Sequence, residues 1–241
     1  MATVKELHYQ FKINMDRIDS ASNPDFKPWE IDWFLTEAQL MFIKQRMSST
    51  SNPKRKGFEQ SQKRIDDLGA LVIKFPKQVG IVPTEVSPGI FELSVADFTF
   101  SYMYLVDGFV DATIGNCTRR VPLRFTQHDD YLNALKDPFY AGHEEFIPYN
   151  IGRGSSNGVE SIYMYSSYPI TMVYPEYIKM PAKVSIVSYK YLDGITYPEH
   201  TLETSAPTHT EIVDLACSIA AMAAQNPEYV QFRQAKLAMN D

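Results

Sequence analysis

Apolar residues recur at helical spacing near both ends of the chain. In the first third, one set recurs at intervals of four, three and four residues: Ile31, Leu35, Ala38 and Phe42. This spacing predicts one apolar face of a helix. Pro28 suits the first helical position, because the N–H that proline lacks would be unpaired there anyway. We expect this helix to be buried on more than one side, because five further residues widen the apolar face: Trp33, Phe34, Leu40, Met41 and Ile43.

A second helix is predicted after a polar loop. Its apolar face would carry five residues at helical spacing: Phe58, Ser61, Ile65, Leu68 and Val72. The opposite face is charged and includes Arg64 and Asp67. We expect both side chains to be solvated, because the polar face of an amphipathic helix points to water.

The C-terminal region is also predicted to be helical. Thr208 and Glu211 have the spacing of a capping box. Between residues 212 and 224 only Asp214 and Ser218 are polar, and five of the apolar residues are alanines. Small side chains let a neighbouring helix approach closely, so we expect this helix to be buried over most of its circumference. Asn226-Pro227 then predicts the start of a short final helix.

The middle of the chain is predicted to be mostly β, with one short helix after Thr126. Aromatic residues occupy alternate positions from 98 to 104, which is the period of a strand. Gly115-Asn116 predicts a tight turn between two strands. Three further strands are predicted: 159–165, 170–174 and 183–191. Prolines and glycines before residue 90 predict an extended connector.

Together these patterns predict an α+β protein. The fold would be a discontinuous helical domain, formed by residues 1–75 and 206–241, with an inserted antiparallel β-sandwich-like domain at 76–205. Nine of the 15 tyrosines lie between Tyr149 and Tyr197. Aromatic residues at alternate strand positions are more typical of a packed sheet face than of a binding surface.

The charge of the chain excludes binding to nucleic acid by bulk electrostatics. The 241 residues include 23 Lys and Arg against 29 Asp and Glu, a formal net charge of −6. Phosphate neutralisation needs a basic surface. The two cysteines form no metal-binding or disulfide pattern. We expect no export signal and no membrane span, because the N-terminus carries charged residues and the longest apolar stretch is too short.

The residues suited to catalysis do not form a convergent set. His128, Asp129 and Asp130 are consecutive, so on a helix they would point in different directions. His143 lacks the second histidine of a HExxH zinc site. We therefore expect no enzyme, no cofactor, no metal and no catalytic residues. A hydrolase acting through His128 or His143 is the weakest alternative.

One basic cluster stands out in this acidic chain: Lys54, Arg55 and Lys56. The cluster fits a solvated loop, and it also fits contact with a nucleic-acid backbone, which requires only Lys and Arg. The remaining features, helices with abundant apolar surface and an aromatic-rich β region, indicate an assembly protein.

Four places in the sequence resemble a known family. They are WFLTEAQLMF at 33–42; VPLRFTQHDDY at 121–131; KDPF at 136–139 with PYN at 148–150; and HTEIVDLA at 209–216 with QNPEY at 225–229. In order and spacing they resemble a ring protein from the head-to-tail connector or tail barrel of crAss-like podoviruses.

The resemblance implies a structural virion protein without catalytic residues. Such a protein would form a closed ring, expected to contain twelve copies, and would contact the portal protein, adjacent ring proteins or both. The ring would continue the DNA channel, and DNA would pass through at ejection without specific binding. Assembly would take place in the host cytoplasm.

Residues 226–241 are predicted to dock on a neighbouring subunit or on the portal. The side chains expected at this interface are Tyr229, Val230, Phe232, Arg233 and Leu237. They are too scattered for a deep core face, but they suit a groove that covers several sides of a helix. The alternative for this segment is a helix folded back on its own bundle. The alternative for the whole protein is a β-sandwich attachment module whose exposed tyrosines stack on host glycans.

Overall fold

The computed structural model describes residues 2–15, 26–47, 62–128, 145–154, 159–187, 189–191 and 193–223. The chain divides into two compact units. The helical unit comprises Met1–Leu71 and Pro181–Asp241, and the sheet unit comprises Val72–Met180. The α+β class is confirmed, because the described residues contain both α-helices and a large sheet.

The described part of the helical unit contains four α-helices: α1 (Val4–Asn14), α2 (Pro28–Met47), α3 (Gln62–Leu68) and α4 (His209–Ala223). A capping box of Thr3 and Glu6 begins α1. As predicted, α2 begins at Pro28 and buries its periodic face. Its predicted burial on further sides is confirmed at Phe34 and Ile43, which are buried. It is wrong at Trp33 and Met41, which are exposed. Trp33 is 54% exposed because it lies on a pocket described below.

Helix α4 packs against α1 and α2. Its predicted burial over most of the circumference is confirmed, since residues 211–221 are buried or partly buried and the exposed residues of α4, Thr210, Met222 and Ala223, lie at its two ends. Thr208 and Glu211, predicted to form a capping box together, have other hydrogen-bond partners. The Thr208 hydroxyl donates to the carbonyl of Ser205 at 2.8 Å, and the Glu211 carboxylate accepts a hydrogen bond from Arg46.

Ala220→Leu is expected to lower the free energy of unfolding by about 1–3 kcal/mol, because the added atoms would overfill a closely packed helix interface. Ala220 is fully buried in α4. Urea unfolding of the purified protein measures the effect. Ala223→Leu is the matched control, since that position on the same helix is exposed. Equal losses in the two variants would contradict close packing at Ala220.

Helix α3 buries Leu68 as predicted, but the rest of its buried face differs from the prediction. Arg64 and Asp67 are buried, whereas Ile65 is 42% exposed. The buried face contains two charged and two apolar residues at helical spacing: Arg64, Asp67, Leu68 and Leu71. The two charges are tolerated there because both have partners on α2. Val72, predicted on the apolar face of this helix, instead begins a strand.

The described strands of the sheet unit are β1 (Val72–Ile73), β2 (Thr84–Ser87), β3 (Ile90–Ser94), β4 (Tyr102–Ile114), β5 (Cys117–Phe125), β6 (Ile147–Arg153), β7 (Glu160–Tyr165) and β8 (Ile170–Lys179). They form one sheet with the order β1-β8-β4-β5-β6-β7-β3-β2. The predicted turn at Gly115-Asn116 is confirmed: it joins β4 to β5, and Gly115 adopts φ +63°.

The predicted antiparallel sandwich requires correction. The described strands form a single mixed sheet, because β5 and β6 pair in parallel. Parallel neighbours need a connection of about a dozen residues or more, and residues 126–146 supply it. Strand β2 lies within the predicted connector. In place of the predicted strand at 183–191, the described residues of that range form only isolated bridges.

Several tyrosines pack in the interior of the sheet unit. Tyr149, Tyr165 and Tyr177 are buried, which confirms their predicted role in packing. The Tyr177 hydroxyl donates to the side-chain oxygen of Gln78 at 3.0 Å and accepts from the N–H of Phe100 at 3.1 Å. Burial raises the pKa of Tyr149 to about 12. These three side chains are not available to stack on sugar rings, which counts against the glycan-binding alternative.

Candidate functional site

The helical unit contains a pocket of about 730 Å³. One side is the N-terminal half of α2, whose residues there recur at three- and four-residue spacing and so share a face of the helix. They are Trp29, Asp32, Trp33, Thr36 and Glu37. Tyr191 and Tyr197 lie on the other side. We call this site the aromatic pocket, after Trp29, Trp33, Tyr191 and Tyr197.

The second wall of the aromatic pocket comes from residues 182–200. Its ends are joined by two backbone hydrogen bonds between Ser185 and His200, at 3.0 and 3.1 Å. A turn lies between them, where the N–H of Gly194 donates to the carbonyl of Tyr191 at 2.9 Å. Gly194 adopts φ +79°, a conformation that glycine accepts without steric cost. This segment therefore has a defined shape without regular secondary structure.

Asp32 and Thr36 fasten this wall to α2. The Asp32 carboxylate accepts hydrogen bonds from the Tyr191 hydroxyl and, at 3.2 Å, from the N–H of Ile186. Its other oxygen is 2.7 Å from Nε2 of His8, on α1. One helical turn along α2, the Thr36 hydroxyl accepts from the N–H of Val184 at 3.1 Å. Asp32 is buried, so its partners replace the water that it loses.

The aromatic pocket carries net negative charge. Three carboxylates line it, those of Asp32, Glu37 and Asp193, against one ammonium, that of Lys183. Hydrogen bonds from the Tyr197 hydroxyl and the N–H of Ile195 lower the pKa of Asp193, so it is ionised at neutral pH. Burial and the neighbouring Asp32 raise the pKa of Tyr191, which therefore remains a hydrogen-bond donor.

A second polar cluster joins α2, α3 and α4. Nε of Arg46 is 3.0 Å from Asp67, and its Nη2 is 2.6 Å from Glu211. Nη1 of Arg64 is 3.4 Å from the carbonyl oxygens of Gln45 and Arg46, near the end of α2. Arg46 and Asp67 are almost completely buried. This cluster links secondary elements, and we call it the helix clamp.

The residues predicted from sequence to contact nucleic acid or a neighbouring subunit lie outside the described part of the chain. These are Lys54, Arg55 and Lys56, and Tyr229, Val230, Phe232, Arg233 and Leu237. Their roles remain predictions. The residues of the aromatic pocket were missed. The available signal was the recurrence of Trp29, Trp33 and Glu37 on one face of a predicted helix. The prediction used only the apolar periodicity of that helix, so it did not identify this recurrence as a site.

Of the candidate catalytic residues, the structure describes only His128. Nε2 of His128 is 2.7 Å from the carbonyl oxygen of Ile151, whereas Asp129, Asp130 and His143 are outside the described residues. Cys217 is buried in α4, where its Sγ is 3.7 Å from the carbonyl oxygen of Phe11, and Cys117 is exposed. Among the described residues, no group of three His, Cys, Asp or Glu side chains could hold a metal ion.

Comparison with protein families identifies the class. The chain belongs to the phage tail ring protein 3/4 family of crAss-like phages, whose model matches residues 2–229. The resemblance noted from the sequence is thus confirmed. The protein is a structural component of the phage tail, and its location is the virion.

A search of curated proteins found no match to this chain. In the described part of the chain, no helix has both the length and the apolar character needed to cross a membrane.

Proposed function

We propose that this protein assembles into a closed ring of twelve copies in the head-to-tail connector or tail barrel. The ring continues the DNA channel below the portal and passes the genome at ejection, after assembly in the host cytoplasm. The observation that carries this proposal is the family match over residues 2–229. Its partners are copies of itself and the portal protein or adjacent ring proteins.

The domain organisation proposed for the subunit is a discontinuous helical domain with an inserted β domain. The division of the chain into two compact units supports it, since the helical unit contains both ends of the chain. The packing of α4 against α1 and α2 supports it further. This packing also means that α4 buries its apolar surface in its own subunit, so the ring contacts must use other residues.

Exposed apolar side chains supply a candidate ring contact in the sheet unit. Phe75, Val79, Val82 and Val86 are all exposed, and Val79 is 68% exposed. Large apolar side chains concentrated in one exposed stretch are typical of interaction surfaces. We propose that residues 75–86 contribute to contacts between subunits or between rings.

The charge of the chain suits a DNA conduit. A net charge of −6 favours passage without adhesion. A cationic surface would bind the DNA, because every phosphate that a cation neutralises releases counterions and strengthens binding. Lys54, Arg55 and Lys56 depart from this balance. A contact between them and a nucleic-acid backbone remains a prediction.

The ring is tested by light scattering on the purified protein and by imaging. The expected species has twelve times the mass of the chain and appears as a ring with a central opening. If the protein forms no ring by itself, the portal protein of the same phage is added as a template. A protein that stays monomeric in both conditions would contradict the proposal.

Deleting residues 226–241 is expected to leave the fold intact and to abolish binding to the neighbouring ring. A short isolated helix is marginally stable in water and needs a partner surface. Circular dichroism measures folding, and co-sedimentation with the portal or adjacent ring protein measures docking. Deletion of 238–241 alone, which retains the predicted interface residues, is the control. Loss of a cooperative melt on deleting 226–241 would assign the segment to the core.

A further inference from the structure

We infer that the aromatic pocket of one subunit binds the basic segment, Lys54, Arg55 and Lys56, of a second copy of the chain. The inference rests on the proposed ring and identifies one of its contacts. It would give a function to the basic cluster, which an acidic DNA conduit does not explain.

The chemistry of the aromatic pocket fits a cationic side chain. The faces of Trp29, Trp33, Tyr191 and Tyr197 can attract a guanidinium or ammonium group, and arginine in particular stacks on aromatic rings. Glu37 and Asp193 add two exposed carboxylates at the rim. Tryptophan, tyrosine and arginine are also the residues that contribute most often to protein interfaces. An exposed Trp33 beside carboxylates therefore indicates a polypeptide partner with positive charge.

The sequence of this chain offers one strong match. Residues 54–56 are three consecutive cations, and Phe58 follows them closely. The C-terminal segment is a weaker candidate, because Arg233 and Lys236 are balanced there by Glu228 and Asp241. Charge complementarity thus favours the basic segment as the occupant of the pocket.

The positions of the two features allow contact between copies. The basic segment follows the C-terminal end of α2 at Met47, whereas the pocket lies on the N-terminal half of that helix. A helix rises about 1.5 Å per residue, so Trp33 and Met47 are about 21 Å apart along the axis. A ring requires two different patches on each subunit that meet head to tail. The pocket and the basic segment would be such a pair.

Charge reversal in trans tests the contact. One variant carries Lys54→Glu, Arg55→Glu and Lys56→Glu, and the other carries Glu37→Lys and Asp193→Asn. Asparagine retains a side-chain oxygen that can accept the hydrogen bonds that Asp193 receives from the N–H of Ile195 and the hydroxyl of Tyr197. Each variant alone is expected to weaken self-association about a hundredfold, because like charges then face each other. An equimolar mixture should restore assembly, since alternating subunits make every contact complementary in an even-numbered ring.

The control reverses three exposed lysines elsewhere: Lys5→Glu, Lys44→Glu and Lys74→Glu. It changes the net charge by the same amount and should assemble like the wild type. Failure of the mixture to restore assembly would overturn the inference. So would a basic-segment variant that assembles normally and loses only DNA binding, because the segment would then contact DNA.

A second measurement does not depend on ring formation. Both tryptophans of the chain, Trp29 and Trp33, line the pocket, so tryptophan fluorescence reports its occupancy. A peptide of residues 51–61 is titrated into full-length protein that carries Lys54→Ser, Arg55→Ser and Lys56→Ser. We expect a saturable change that Glu37→Lys weakens at least about tenfold.

A peptide with serine at positions 54–56 should not bind, and it is the control. Absence of binding by the 51–61 peptide would overturn the inference even if rings form. Stronger binding by a 226–241 peptide would also overturn it. Conversely, peptide binding by a protein that never assembles would uphold the pocket and contradict only the proposed ring.

Discussion

Arg46→Met is expected to lower the free energy of unfolding by about 3–5 kcal/mol, because it leaves Asp67 in the interior without its charged partner. Arg46 and Asp67 are buried, and Arg46 also holds the partly buried Glu211 at 2.6 Å. Methionine replaces most of the apolar stem, so the loss reports mainly the missing charge. Urea unfolding at neutral pH, followed by circular dichroism, measures it.

Lys63→Met is the matched control for the helix clamp. Lys63 also pairs with Glu211, at 3.4 Å, but its side chain is half exposed. Solvent screens such a pair, so the expected loss is below about 1 kcal/mol. If both variants lost the same stability, the buried geometry of Arg46 would have no special role and the helix clamp would be an ordinary surface cluster.

Asp32→Ala is expected to lower the free energy of unfolding by about 3 kcal/mol or more. The change removes the acceptor of the Tyr191 hydroxyl, the Ile186 N–H and the His8 ring, and an unsatisfied buried donor costs about 1–3 kcal/mol. The wall of the aromatic pocket would also lose its main attachment to α2. Tryptophan fluorescence follows this local change, because Trp29 and Trp33 flank Asp32.

Two further variants give this prediction its controls. Asp32→Asn retains an acceptor oxygen and should lose less stability than Asp32→Ala. Glu37→Gln, about one turn further along the same helix, changes an exposed carboxylate and should leave stability nearly unchanged. An Asp32→Ala protein as stable as the wild type would show that the buried network does not hold the pocket wall.

The sequence by itself determined the elements whose signals are local. The spacing of Ile31, Leu35, Ala38 and Phe42 predicted the buried face of α2, because a helix repeats every 3.6 residues whatever surrounds it. Gly115-Asn116 predicted the hairpin turn, because a positive φ needs glycine. The apolar composition of α4 predicted its burial. The order and spacing of four short segments indicated the family, and the match of the family model to residues 2–229 then confirmed it.

Tertiary structure alone decided the features that depend on partners distant in sequence. Arg64 and Asp67 resemble solvated charges, and only their contacts with α2, about 20 residues earlier, permit their burial. The parallel pairing of β5 with β6 depends on the path of the segment that connects them. The alternation of residues within each strand does not reveal that path. The aromatic pocket joins residues 29–37 to residues 182–200. No local pattern predicts that meeting, because the chain must fold before Asp32 can accept the hydroxyl of Tyr191.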